Sequence, residues 1–94
     1  MSINELFKAL SDENRRKILD LLRDRDLTVG EIADHFEMSK PGISQHLSVL
    51  RNANLVFAEK KGQYVYYSLN SSVFQDVMKW IIQFNQNKGE GRKL

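Results

Sequence analysis

The sequence predicts a mainly α domain with a small β-hairpin, in the order α-α-α-α-β-β-α, and three observations carry that expectation. Two apolar stripes at helical spacing, Ile32, Ala33 and Phe36 followed by Ile43, Leu47 and Leu50, flank a very short gap. A run rich in aromatic and β-branched residues, 55–69, is broken only at Lys61-Gly62. A last helical pattern, beginning near Ser71, is apolar around more than half its circumference. Together they describe a winged helix-turn-helix, homodimeric through its last helix.

Each element has its own local signal. Ile3, Leu6, Phe7 and Leu10 recur at helical spacing and place a first helix over 3–10, stopped at Ser11 and Asp12, either of which can cap the next. Ile18, Leu19, Leu21 and Leu22 carry a second helix over about 13–24, ended by Arg-Asp-Arg-Asp, with Arg15, Arg16 and Lys17 toward its exposed side. Thr28 opens the third helix, and Glu31 can reach back to its amide to complete a capping box. Ser39 caps the fourth helix, and Pro41 falls in its first turn, where a missing N–H is harmless. Only Glu37 and Met38 remain for a tight turn between the two. In the hairpin that follows, Tyr64 and Tyr66 share one face while Val65, Tyr67 and Leu69 share the other. Asn70 and Ser71 cap the last helix, which is expected to run to about Asn85. This divides the chain into a folded domain, 1–85, and a polar flexible tail, 86–94.

Composition narrows the function. Ninety-four residues suffice for one modest core, close to the size at which association aids stability. A net charge of +2 does not by itself mark a nucleic-acid binder, so the placement of charge matters. Residues 39–51 hold Lys40 and Arg51 and no acid, whereas 20–37 hold six acids against two arginines. The absence of cysteine excludes disulfides, thiolate metal sites and a cysteine nucleophile. No cofactor or metal is expected, since His35 and His46 fall on different helices with no acidic cluster beside them. An enzyme is not expected either, because paired carboxylates near a histidine and a phosphate-binding glycine loop are both missing. No apolar run is long enough for a bilayer, and the N-terminus lacks a signal core, so the expected location is cytoplasmic, without membrane insertion.

A helix-turn-helix places its second helix in a DNA major groove. On that helix the core side takes Ile43, Leu47 and Leu50, leaving a small polar outer face. Gln45 can pair with an adenine edge, and Ser44 and Ser48 with base or phosphate. Ser39 and Lys40 stand at the positive end of the helix dipole, suited to phosphate, and Gly42 permits close backbone approach. Lys60 and Lys61 at the hairpin tip, with Gln63 and Tyr64, are the expected wing contacts; Arg15 and Arg16 are candidates for phosphate or simply a solvated helix face. On the last helix, Val73, Val77, Trp80, Ile81 and Phe84 form one stripe that Phe74, Met78 and Ile82 widen, more than one core can bury. A second copy of the chain is therefore the expected partner. Ile3, Leu6, Phe7 and Leu10 of the first helix are expected to join that interface. Two-fold symmetry then implies an inverted-repeat DNA operator.

Four segments, in order, give the chain a wider resemblance: Leu-Ser-Asp-Glu-Asn-Arg-Arg-Lys-Ile-Leu (10–19), Leu-Thr-Val-Gly-Glu-Ile-Ala (27–33), Ser-Lys-Pro-Gly-Ile-Ser-Gln-His-Leu-Ser-Val-Leu (39–50) and Lys-Lys-Gly-Gln-Tyr-Val-Tyr-Tyr-Ser-Leu (60–69). Residues 5–82 resemble the ArsR-type bacterial repressors. The resemblance implies a homodimer that binds a palindromic operator and blocks transcription, with His46, in a Ser-x-His-Leu match, contacting DNA or orienting the helix. Many relatives sense metal through a cysteine pair at the start of the third helix. Thr28 and Gly30 occupy those positions here, and the last helix offers Asp76 without a histidine. Autorepression, release by a regulatory protein that sequesters the repressor, and release by an apolar ligand remain open. The competing readings are a winged helix used for protein contacts and a metal-responsive repressor with a non-cysteine site.

Overall fold

The computed structural model describes residues 3–89. Helix α1 spans Ile3–Leu10 and α2 spans Glu13–Leu21. A two-residue strand β1, Leu27–Thr28, leads into α3, Val29–Ala33, and then α4, Lys40–Asn52. The hairpin strands are β2, Val56–Lys61, and β3, Tyr64–Leu69, and α5 spans Ser71–Gly89. The winged helix-turn-helix expected from sequence is what forms, with one addition. Strand β1 pairs antiparallel with β3, so the sheet has three strands in the order β1-β3-β2.

The helix ends follow from identifiable caps. Asp12 accepts from the Arg15 N–H and starts α2. The capping box at α3 is complete: Thr28 Oγ1 accepts from the Glu31 amide at 3.2 Å, and Glu31 Oε1 accepts from the Thr28 amide at 2.9 Å. Ser39 Oγ accepts from the Gly42 amide at 3.4 Å. Helix α4 closes in a Schellman motif, with the Leu55 amide donating to the Leu50 carbonyl and the Asn54 amide to that of Arg51. Asn54 adopts φ 61°, a left-handed conformation that asparagine tolerates.

Three boundaries differ from expectation. Helix α2 stops at Leu21 rather than near residue 24: Leu22 is its cap, and the chain tightens beyond it, with the Arg23 amide donating to the Asp20 carbonyl three residues back. The turn of the helix-turn-helix takes six residues, 34–39, not two; α3 ends at Ala33, and Phe36 packs on the core from the turn. The Asn70 side chain also ties the helix start to the end of α4, its Nδ2 donating to the Asn54 carbonyl at 2.9 Å. Helix α5 continues to Gly89, four residues past the expected end, so the first part of the anticipated tail is helical; residues 90–94 lie outside the described residues.

The core draws on every helix. Leu6, Ile18, Ile32, Ile43, Leu47, Leu50 and Leu55 are its largest fully buried side chains. Ile43, Leu47 and Leu50 place one face of α4 against α1, α2 and α3, which fixes the opposite face outward. The hairpin is held at its base, where Val56 faces Leu69 and Leu27 faces Tyr67, and its tip projects free. Helix α5 is anchored by Val73 and then leaves the core, giving a long axis of 55 Å and a radius of gyration of 15.9 Å. A compact chain of this length would have a radius of about 12 Å.

Candidate nucleic-acid interface

Helix α4 presents two distinct sides. Ser44, Gln45 and Ser48 are exposed opposite the buried stripe, with Lys40 at the first turn and Arg51 at the last. Ser39 is exposed, but its hydroxyl already accepts the Gly42 amide, so it is available to a phosphate chiefly through the open helix end. Lys40 lies back over α3: a Cβ built on Gly30 would sit 3.7 Å from its Nζ.

Two residues of the expected contact set also make contacts within the protein. Gly42 faces the turn, where a Cβ would stand 2.8 Å from Met38 Cγ, so glycine here admits the Met38 side chain rather than a DNA backbone. His46 is turned toward α2 with its side chain only 20% exposed, and its Nδ1 lies 3.3 Å from Arg15 Nη1 and 4.0 Å from Asp12. These contacts are compatible with the helix-orienting role, one of the two expected of it.

Arg15 is half-buried and Arg16 exposed, and both engage main-chain carbonyls. Arg15 donates to the carbonyls of Ala9 and Lys8, and Arg16 donates to that of Leu10, so together they cap the C-terminal end of α1. Lys17 does the same for the third helix, donating to the His35 carbonyl at 3.0 Å with its ammonium 4.6 Å from the Phe36 ring centre. His35 itself is exposed. The carboxyl of Asp12 is held below the usual carboxylate range, chiefly by the Arg15 N–H it accepts; burial opposes this, and the charges of Arg15 and His46 and the Asn14 amide add smaller lowering effects.

At the wing, Gly62 takes φ 64° and makes the turn. Adjacent strand residues alternate, so Lys60 and Lys61 point to opposite faces. Lys60 shares its face with Val65, while Lys61 stands beside Tyr64, 3.9 Å from the Glu59 carboxylate and 5.8 Å from the Tyr66 ring centre. Gln63 and Tyr64 are exposed at the tip.

The second surface lies on α1 and α5. Phe7, Trp80 and Phe84 stack in sequence, with centroid separations of 6.2 and 5.1 Å, and Ile3 and Ile81 extend the patch. Trp80 is 42% exposed and Phe84 60%. Leu6 and Val73, expected at a partner interface, are instead buried in the protomer's own core and offer no area to a partner. Leu10 and Val77 are half-buried against that core. Met78 and Ile82 are exposed on the neighbouring side of α5.

Among the described residues no group of three or more His, Cys, Asp or Glu side chains could hold a metal ion. No helix among them is long and apolar enough to cross a membrane.

With this arrangement in view, the sequence profile described as "Bacterial regulatory protein, arsR family" matches residues 12–57, the segment from the α2 cap through the start of β2. The transcriptional repressor SdpR of Bacillus subtilis is 52% identical over 88 residues, covering 94% of this chain and 97% of that one. The chain belongs to the ArsR family. Within it, the transcriptional activator HlyU of Vibrio cholerae is 43% identical over 67 residues, 71% of this chain and 62% of that protein. The solved structure of HlyU superimposes with a TM-score of 0.71 at 35% identity, covering 87% of this chain and 89% of its own. An ArsR-like transcriptional regulator from Rhodococcus sp. RHA1 gives 0.81 at 25% identity over 93% and 85% of the two chains. Members of this family are DNA-binding regulators, not enzymes.

Proposed function

We propose that this ArsR-family protein is a transcriptional repressor that reads an inverted-repeat operator as a homodimer. The observation that carries the reading is the outer face of α4: acid-free, small and polar, and fixed outward by Ile43, Leu47 and Leu50. Ser44, Gln45 and Ser48 enter the major groove, Ser39 and Lys40 meet phosphate at the helix start, and Lys60, Lys61, Gln63 and Tyr64 of the wing meet the flanking backbone. The patch of Ile3, Phe7, Trp80, Ile81 and Phe84 packs on its copy, and the two-fold axis spaces the reading helices about 34–36 Å apart. Repression, rather than activation, is supported by the repressor relative that matches nearly its whole length. Work on chromosomal DNA would place it in the cytoplasm.

Release of the operator by metal at the start of α3 is disfavoured, because the Thr28 hydroxyl is committed to the capping box and Gly30 carries no ligand atom. Sequestration by a regulatory protein that covers α4 is the alternative we retain. The deciding experiment is selection of bound duplexes from a random pool at physiological salt, followed by sedimentation of the complex. The reading requires an enriched inverted repeat and two protomers per duplex. Enrichment of no sequence, with the protein intact, would favour a winged helix devoted to protein contacts.

A further inference from the structure

The Arg15 side chain is committed in three directions at once. Its Nε donates to the Ala9 carbonyl at 2.8 Å and its Nη2 to the Lys8 carbonyl at 3.0 Å, while Nη1 lies 3.3 Å from His46 Nδ1. The two carbonyls end α1, the helix that presents Ile3 and Phe7, and His46 sits midway along α4. A guanidinium is a rigid planar fork, so its three bonds fix α1 and α4 relative to one another. We propose that Arg15 is a positioning residue for operator reading, setting the rotation of α4 relative to α1 through His46. This rests on the DNA-reading, dimeric assignment above.

The contact also selects a tautomer of the neutral ring. Guanidinium has donors only, so Nδ1 of a neutral His46 accepts from Arg15, which puts the ring proton on Nε2. The Asp12 carboxylate stands 4.0 Å from the same Nδ1. The charged groups facing this ring are Asp12 and Arg15 from α2, with Glu5 and Lys8 of α1 lining the adjoining cleft beside Val49 and Asn52 of α4. Side-chain tips on a helix stand about 5–6 Å from its axis, so a turn of about 10° moves the Gln45 amide by about 1 Å. That is enough to spoil a bidentate base contact while leaving phosphate contacts in place.

The test compares affinity for the duplex that wild-type protein selects from a random pool with affinity for a scrambled duplex. Arg15→Ala is expected to lower the ratio of the two about tenfold, with scrambled-duplex affinity unchanged. His46→Asn, whose amide oxygen stands where Nδ1 stood, keeps most of the ratio, and His46→Gln does not. Arg15→Lys serves if the alanine variant loses helix content. An unchanged ratio in both Arg15 variants, or operator and scrambled affinities falling in step, overturns the proposal. Nitrogen chemical shifts of His46 in DNA-free protein provide an independent arm: an Nε2–H tautomer whose Nδ1 signal moves in Arg15→Ala is expected, and any other tautomer overturns the clamp. Wild-type protein with no duplex preference overturns the DNA reading and the proposal with it, and the nitrogen signals then show that it was the reading, not the clamp, that failed.

Discussion

Replacing Lys60 and Lys61 separately tests the wing more sharply than replacing both. Each lysine that displaces a counterion from duplex DNA contributes ~0.9 to the slope of log affinity against log salt. Two wings per dimer make that about 1.8 for each position. Between about 50 and about 200 mM salt, such a slope difference amounts to about one decade of affinity. The structure breaks the symmetry between the two lysines, since Lys61 lies 3.9 Å from Glu59 whereas Lys60 stands across from Val65 on the other face. Lys60→Ala should therefore flatten the slope by about 1.8, and Lys61→Ala by less, because its charge is already partly neutralised. Glu59→Gln should steepen the slope by releasing Lys61. Fluorescence anisotropy titrations of the selected duplex across four salt concentrations measure all three. An unaltered slope in Lys60→Ala would remove the wing from the contact set, and a Lys61 effect larger than that of Lys60 would refute the pairing argument.

Other expectations follow from caps, core and interface. Thr28→Ala removes one half of the capping box and should cost about 1 kcal/mol in urea unfolding, with Leu47→Ala costing about 2–5 kcal/mol from its fully buried site. Trp80→Ala and Phe84→Ala each remove about 100 Å² of exposed apolar surface, at most about 2.5 kcal/mol per side chain and counted twice in a dimer. Sedimentation should shift toward monomer while helical content is retained; an unchanged dimer would place the interface elsewhere. Asp12→Ala should lose about 1 kcal/mol near neutrality. Because the Asp12 carboxyl is held low in the folded state, its stabilisation is full above the ordinary carboxylate range and fades as pH falls through the lowered value. The gap between wild type and Asp12→Ala should therefore narrow in strong acid, and a gap that widens there would contradict the assigned hydrogen bond.

What could be read in the sequence was governed by repetition along one helix or strand. Helices α1 and α4 agree with the sequence reading to within a residue, α1 through its apolar spacing and α4 through spacing that coincides with its Ser39 cap. The facing of Tyr64 and Tyr66 against Val65, Tyr67 and Leu69 followed from alternation alone. Strand β1 is two residues long and exists only through its pairing with Tyr66 and Tyr67, a contact nearly forty residues away, so no local pattern could announce it. Arg15, Arg16 and Lys17 read as a basic surface for the same reason. Their carbonyl partners lie on other elements, and a charge run shows nothing of what it touches. Leu6 and Val73 sat within apolar stripes broader than the core, and only packing divides such a stripe between inside and outside.

That division bears on how a nearly neutral chain can read DNA. Of the basic side chains in α2, Arg15, Arg16 and Lys17 are all tied to main-chain carbonyls and hold helix ends in place. Of these, only Arg15 also reaches α4, through His46. The attractive charge is left to Lys40, Arg51 and the wing, few enough that non-specific affinity should be weak. On the dimeric reading proposed above, specificity depends on two reading helices being presented at one spacing, and both the Phe7–Trp80–Phe84 patch and the Arg15 fork would act on that spacing through α1. Loss of the dimer and loss of the fork should accordingly be more than additive in operator affinity, because either alone leaves the other holding only half of the same geometry.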